Sequence, residues 1–414
     1  MKNSGIEWIG EIPDSWEVNL VKNIFDITRG RVIAKNEIED EPLEGYYPVY
    51  SSQTANSGIL GYIPSYDFAI DSLTWTTDGA KAGTVFLRRG KYSITNVCGI
   101  LTLKSEKYSL DYLNYAVGFS AYNCRRADIN GYKIMSNEMA IIPIVVPSLE
   151  DQQRIAQRLD EKCGKIDELI TNQEKQIEKL KEYKQSVITE AVTKGLDKSA
   201  PMKNSGIEWI GKIPCHWTNP KIKYYCKVES GATPERTHSE YWNGNINWFK
   251  TGELQNNVVF ESEEKITYIA IRKSSVKIFP EDTILVAMYG QGKTRGMTAL
   301  LKTASTTNQA CAGILLRKEG FDVFYLWWVL RGAYDSLRQL ANGSGQPNLS
   351  GALISDFLIT KPPIQEQKNI VSYLDNKCGK IDRLIAIKQE KIEKLQEYKK
   401  SLIYEYVTGK KEVV

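Results

Sequence analysis

LDEKCGKIDELI, Leu159 to Ile170, returns as LDNKCGKIDRLI, Leu374 to Ile385. Both copies run on, through QIEKLKEYKQSVI from Gln176 and KIEKLQEYKKSLI from Lys391, to a glycine at Gly195 and at Gly409. Along the first copy apolar side chains recur every three or four residues at Leu159, Cys163, Ile166, Ile170, Ile177, Leu180, Val187 and Ala191. The second copy matches with Leu374, Cys378, Ile381, Ile385, Ile392, Leu395, Leu402 and Tyr406. That spacing is a heptad seam, so each stretch predicts one long helix, with Ile166, Ile170, Ile177, Leu180 and Val187 pairing against Ile381, Ile385, Ile392, Leu395 and Leu402. Gln173 with Lys388, and Lys184 with Lys399, interrupt the seam at polar positions, which specify register. Proline precedes each stretch (Pro147; Pro362 and Pro363) and glycine closes it, as helix boundaries require. A helix of this length reaches roughly 60 Å at about 1.5 Å per residue.

A second repeat stands further out. MKNSGIEWIG opens the chain at Met1 and recurs letter for letter at Met202, each copy continuing through Ile-Pro to Trp16 or Trp217. A period of about 200 residues is a duplicated domain, not a solenoid unit. The division expected is a first core over 1–148, a helix over 149–194, a linker over 195–201, a second core over 202–361, a second helix over 362–408 and a tail over 409–414. Two matched seams in one chain pair most simply with each other, antiparallel, with the cores at opposite ends. The tryptophans of the repeated handle, Trp8, Trp16, Trp209 and Trp217, are either anchors packed on the helix ends or a docking face for an outside partner.

The cores read as short strands and turns. YYPVYSSQTANSGILGYI and LTWTTDGAKAGTVFLRRGKYSITNVCGILTL carry β-branched and aromatic runs broken by Asn-Ser-Gly, Asp-Gly and Arg-Gly turns; NINWFKTGEL, DTILVAMYGQGKTRGMTALLK and TTNQACAGILLR do the same in the second core. A helical patch is expected at 324–340, and a late strand in each core, at 140–146 and 354–360. The fold class is α+β: two mixed cores of many short strands separated by two long antiparallel coiled-coil helices, with pseudo-twofold symmetry.

Composition narrows the chemistry. With 42% hydrophobic and 25% charged residues the chain is an ordinary folded protein, and its longest apolar stretches are far shorter than the roughly 20 residues of a membrane-spanning helix. Met1 begins the handle with no leader ahead of it, so the cytoplasm is expected. Seven scattered cysteines without a C-x-x-C pair speak against a disulfide framework or zinc site. The net charge of +4 is unevenly spread: the first core has 14 Lys and Arg against 17 Asp and Glu, the second 19 against 14. Ala287 to Thr294 approaches the phosphate-loop pattern but has alanine where the first glycine belongs. His216 and His238 are the only histidines, both in the second module, so no duplicated imidazole catalysis is possible. No catalytic metal site is expected either.

The combined motifs resemble one family. The GIEWIG-x-IP-x-x-W handle (Gly5 to Trp16, Gly206 to Trp217), Gly231-Ala-Thr-Pro, Tyr241-Trp-Asn-Gly, Trp248-Phe249, Thr307-Asn308-Gln309, Gln346-Pro347-Asn348 and the Pro-Pro-Ile-Gln-Glu-Gln helix entry from Pro362 are similar to the specificity subunits of type I restriction-modification systems. The first core departs, with Thr95-Asn96-Val97 in place of the Thr307-Asn308-Gln309 run and Gly131-Tyr132-Lys133 in place of Gln346-Pro347-Asn348. The resemblance implies a non-catalytic subunit with two target recognition domains. Each reads one half of a split, asymmetric site on double-stranded DNA, while the helices set the unread spacer. It implies two modification (methyltransferase) subunits, which use S-adenosylmethionine, and two restriction subunits, which use ATP and Mg; this chain itself holds no cofactor. A coiled-coil scaffold without DNA specificity and an autonomous DNA-modifying enzyme are the alternatives.

Cations suit guanine edges and amides suit adenine, so base contacts are expected from polar residues in the turn-rich loops. Those are Ser52, Gln53, Thr77, Lys81 and Lys133 in the first core, and Lys250, Thr251, Lys293, Arg295, Gln346 and Asn348 in the second.

Overall fold

The computed structural model describes residues 1–129, 131–290, 292–340 and 348–412. It resolves into two compact units, and the division cuts both long helices: one unit holds residues 1–174 and 390–414, the other 175–389.

In the first unit an antiparallel sheet runs in the order Val85–Arg88, Ser72–Thr76, Cys98–Leu103, Phe25–Arg29. A second sheet, ordered Ile59–Ile63, Tyr47–Tyr50, Lys91–Ile94, Phe68–Ala69, has a parallel pair at its centre. Helix α1, Leu110–Cys124, is capped by the Ser109 hydroxyl and lies on the first sheet, burying Tyr112, Leu113, Ala116 and Val117. Its four aromatic residues leave no clean polar face, which is why amphipathic spacing did not reveal it. Helix α2, Leu149–Lys194, begins here.

In the second unit a five-stranded sheet is ordered Cys226–Ser230, Cys311–Leu316, Ile284–Ala287, Thr298–Leu301, Asn257–Val259, and a smaller sheet joins Glu264–Ile266, Trp242–Phe249 and Thr306–Thr307. Helix α3, Val323–Gly332, is capped by Asp322, whose carboxylate accepts from the Phe324 and Tyr325 amides at 2.9 and 3.1 Å. The expected patch at 324–340 is thus two helices, the second being Tyr334–Gln339. Helix α4, Ile364–Val407, begins in this unit.

Two strand expectations are corrected. Residues 354–360 form no strand: Gly351–Asp356 is a helix capped by Ser350, and only single bridges at Leu358 and Lys361 follow. Ala140 ends the short helix Ser136–Ala140, so the first core's late strand starts at Pro143 and pairs with Glu17–Leu20. In the second core composition lost to the Ser350 cap, and in the first the Glu138 carboxylate accepts from the Met135 amide at 2.6 Å at the start of the short helix.

The helices pair antiparallel within each unit. In the first, Lys399 of α4 reaches Asp167 of α2 at 2.7 Å, and the Tyr112 hydroxyl donates to both Val145 O and Val407 O, which brings the end of α4 to the start of α2. In the second, Lys184 of α2 reaches Asp382 of α4 at 2.6 Å, and the Thr360 hydroxyl donates to Val192 O at 2.6 Å. Lys184 and Lys399 occupy equivalent places, as do Asp167 and Asp382, so one ion pair is written twice. This explains Lys184 and Lys399 in the seam: a slip of one turn separates the partners of both pairs, although each partly exposed pair adds only ~0.5 kcal/mol to stability. All ten seam residues named above are buried or half-buried.

The joints between core and helix are duplicated too. Gln152, 1% exposed, donates to Pro147 O at 2.9 Å and accepts from the Ser109 amide at 2.8 Å; Gln367, fully buried, repeats this with Pro362 O and the Asp322 amide. Gln152→Leu leaves the buried Pro147 carbonyl and the half-buried Ser109 amide without these partners, at a cost of about 1–3 kcal/mol in all. Urea unfolding should show that loss in the first unit, and a wild-type midpoint would contradict it.

The handles are anchors. Trp217 is fully buried against Gly195, where an added Cβ would lie 3.0 Å from the indole, and Trp16 lies equally close to Gly409. Both glycines have φ near +70°, a conformation in which a side chain is strained. Trp8 packs edge-on against Phe119, and Trp209 stacks on Phe357. A docking face is therefore not needed to explain the identical handles, because each packs against the glycine-closed end of a long helix within its own unit.

Candidate nucleic-acid interface

The first core's candidates gather along the loops beside residues 95–97. Val97 O accepts the Thr77 hydroxyl at 2.9 Å, and the Thr95 hydroxyl meets the Ser51 hydroxyl at 3.0 Å. The adjoining strand Asp78–Gly79 pairs with Gly131–Lys133, which pairs in turn with Arg126–Asp128. Lys133 thereby lies on a small sheet and Lys81 in the turn that follows its strand Asp78–Gly79; Lys81 is exposed and Lys133 half-buried, 3.5 Å from Asp128. Ser52 is half-buried, and the exposed Gln53 donates from its side-chain amide to Ile59 O. Thr77 is the correction: its side chain is fully buried and holds the loop, with no surface left for a base edge.

One buried cation shapes this edge, and sequence reasoning missed it. Arg88 is 4% exposed, stacks 3.5 Å over Tyr50, and donates to Thr74 Oγ1 and to Ser57 O at 2.7 Å. Burial pushes its guanidinium down to about 10. It fixes the left-handed turn at Asn56 and Ser57, just after Gln53. Arg125 was missed as well; it lies between the rings of Tyr122 and Tyr132 at 3.9 and 4.0 Å. The Arg125-Arg126 pair was the available signal, but the two rings converge only in the fold.

In the second core Lys250 bridges Glu263 and Glu264, both at 3.0 Å, and these carboxylates hold its ammonium above the usual lysine range. The half-buried Thr251 opens the short helix that follows. Phe249 O accepts from the Asn308 amide, so this turn adjoins the Thr307-Asn308-Gln309 run. The exposed Gln309 pairs with the Thr233 hydroxyl, which joins the run to the Gly231-Ala-Thr-Pro stretch. Lys293 is exposed and Arg295 half-buried on a loop held from helix Tyr334–Gln339: the Tyr334 hydroxyl donates to Lys293 O at 2.6 Å and Arg338 to Gly292 O at 2.7 Å. The exposed Asn348 comes close in the chain, since the Leu349 amide donates to Met288 O. Gln346 lies outside the described residues. Arg236, also missed, stacks 3.9 Å over Trp242 and pairs with Glu264 at 2.6 Å.

Both cores thus present cations and amides on loops held by hydrogen bonds from neighbouring elements, a chemistry suited to base edges and phosphates. Among the described residues no cluster of histidine, cysteine or carboxylate is arranged to hold a metal, and no helix is long and apolar enough to cross a membrane.

The model of the type I restriction modification DNA specificity domain matches residues 13–179 and again 214–397. The chain belongs to that family, with two such domains in one polypeptide, and the resemblance drawn from its motifs holds. It is 26% identical to the type I restriction enzyme MjaVIII specificity subunit of Methanocaldococcus jannaschii over 96% of this chain and 93% of that one. A Mycoplasma pneumoniae protein described as a type I specificity subunit N-terminus is 41% identical over 34% of this chain and 74% of its own length. Another from that organism, 39% identical, matches 33% of this chain and 37% of its own. Among solved structures, a chain from a type I restriction-modification assembly superposes with a TM-score of 0.69 over 96% of this chain and 99% of that one, at 14% identity, which establishes a shared fold.

Proposed function

We propose that this chain is the DNA-reading subunit of a type I restriction-modification assembly, reads the two halves of an asymmetric site with its two cores, and catalyses nothing itself. The observation that carries this is duplicated scaffolding under unlike surfaces. The ion pair, the buried glutamine and the handle tryptophan repeat place for place, whereas the loops bearing Ser52, Gln53, Lys81 and Lys133 have no sequence counterpart in those bearing Lys250, Thr251, Lys293, Arg295, Gln346 and Asn348. The scaffolding sets the unread spacer, and two modification and two restriction subunits dock on it. S-adenosylmethionine, ATP and Mg belong to those partners, and the assembly works in the cytoplasm.

The test is the pattern of methylated adenines across a host genome with and without this gene. A split, asymmetric motif that appears only with the gene supports the reading; an unchanged pattern overturns it. Within that motif, Lys293→Ala or Arg295→Ala should weaken recognition about tenfold or more in one half-site alone, since a good side-chain pair with a base contributes ~1–3 kcal/mol of discrimination. Equal loss in both halves would remove these residues from the interface.

A further inference from the structure

We propose that Ile129 is a base-reading residue of the first core, touching the C5 methyl group of a thymine in its half-site; this rests on the DNA-reading function above. Ile129 follows strand Arg126–Asp128 at the tip of its hairpin with Gly131–Lys133, and it is 98% exposed, more than any other large apolar residue described. An aliphatic side chain held wholly in water gains nothing for the fold. Isolated exposed apolar residues are common on protein surfaces, but this one sits directly after a strand that is paired in a sheet.

Three attachments hold it. Gly131 and Lys133 belong to a strand that pairs with Asp78–Gly79. Gly131, at φ +120°, approaches Ala80 so closely that an added Cβ would lie 3.0 Å from its Cα. Tyr132 stacks against Arg125 at 4.0 Å, and Arg125 also lies 3.9 Å from the ring of Tyr122 of α1. At the tip itself the Asp128 carboxylate accepts from the Ile129 amide at 2.8 Å, and Lys133 lies 3.5 Å from that carboxylate, so the acid orients the tip while its charge is locally balanced.

The hairpin is the outer pair of a three-stranded sheet; a pair of β-strands fits the major groove of B-DNA, where the apolar group on a base edge is the thymine methyl. The exposed Lys81 adjoins the ribbon through the 78–81 loop and supplies positive charge for the flanking phosphates. The ribbon thus presents one apolar group on a preorganised mount.

The test uses the complete assembly of this chain with its modification subunits. Binding is measured at fixed salt on duplexes in which each thymine of the mapped site is replaced in turn by deoxyuracil, which lacks the methyl. For the wild type, one replacement should weaken binding about tenfold. Ile129→Ser should bind the all-thymine site about tenfold more weakly and be indifferent to that same replacement, while Ile129→Val keeps the sensitivity and shows that the ribbon is intact. If Ile129→Ser binds like the wild type, keeps the uracil sensitivity, or no thymine matters to the wild type, the proposal is overturned. A wild-type assembly that binds no specific sequence is a separate result, and it overturns the DNA-reading function as well.

Discussion

Trp217→Ala should lower the stability of the second unit by about 3–5 kcal/mol, the usual cost of truncating a buried tryptophan. The indole is fully buried in a cluster with Ile210, Ile213, Ile222, Ile370 and Leu374, so its removal opens a cavity that flanking side chains fill only in part. Its Nε1 donates at 2.9 Å to Glu366, in the first turn of α4, and Glu366 also meets His216 at 2.7 Å. The substitution therefore removes apolar packing and loosens the start of a helix together. For a unit of this size the midpoint of thermal unfolding should fall by roughly 10 °C. Trp16→Ala should cost less, because Trp16 retains 8% exposure. Equal and small shifts in both variants would contradict the anchoring role of the handles.

Gly99→Ala should damage the first core by about 3 kcal/mol and disable one half of DNA recognition. A Cβ at residue 99 would lie 1.9 Å from the Trp75 ring, and that ring is fully buried, with its Nε1 donating to Ile134 O at 3.1 Å. Overfilling a packed core costs ~1–3 kcal/mol, and a clash with a rigid indole belongs at the upper end. The consequence travels: Ile134 follows Lys133, and its amide donates to Thr77 O. Moving Trp75 thus moves both loops that carry Lys81 and Lys133. Urea unfolding should report the stability loss. In binding assays base changes in the first core's half-site should cease to matter, while those in the second keep their effect. A variant that stays stable and reads both halves would show that Trp75 does not set the ribbon.

Much of this was legible before any coordinates. The seam from Leu159 to Ala191 and from Leu374 to Tyr406 follows from side-chain spacing, and proline and glycine mark its ends, because helix periodicity and capping are local properties. Lys81, Lys293 and Asn348 could be named as surface groups because charge and turn composition keep loops in water. Thr77 could not be told from them. A threonine beside Asp-Gly reads as a turn residue, and only the approach of Val97, in a turn 20 residues further along, shows that its hydroxyl is taken. Arg88 and Arg125 escaped for the same reason, since their stacking rings come from other elements.

The repeats disclosed two modules and two long helices, but a linear reading assigns each helix to a single segment. In the fold Leu402, Tyr406 and Val407 complete the core of the first module, and Val187, Ile188 and Val192 complete that of the second. Spacing along a chain states which face of a helix is apolar; it does not state what that face meets. That choice rests on burial and hydrogen bonds between residues far apart in sequence, such as Tyr112 with Val407 and Thr360 with Val192, and those exist only once the chain has folded back on itself.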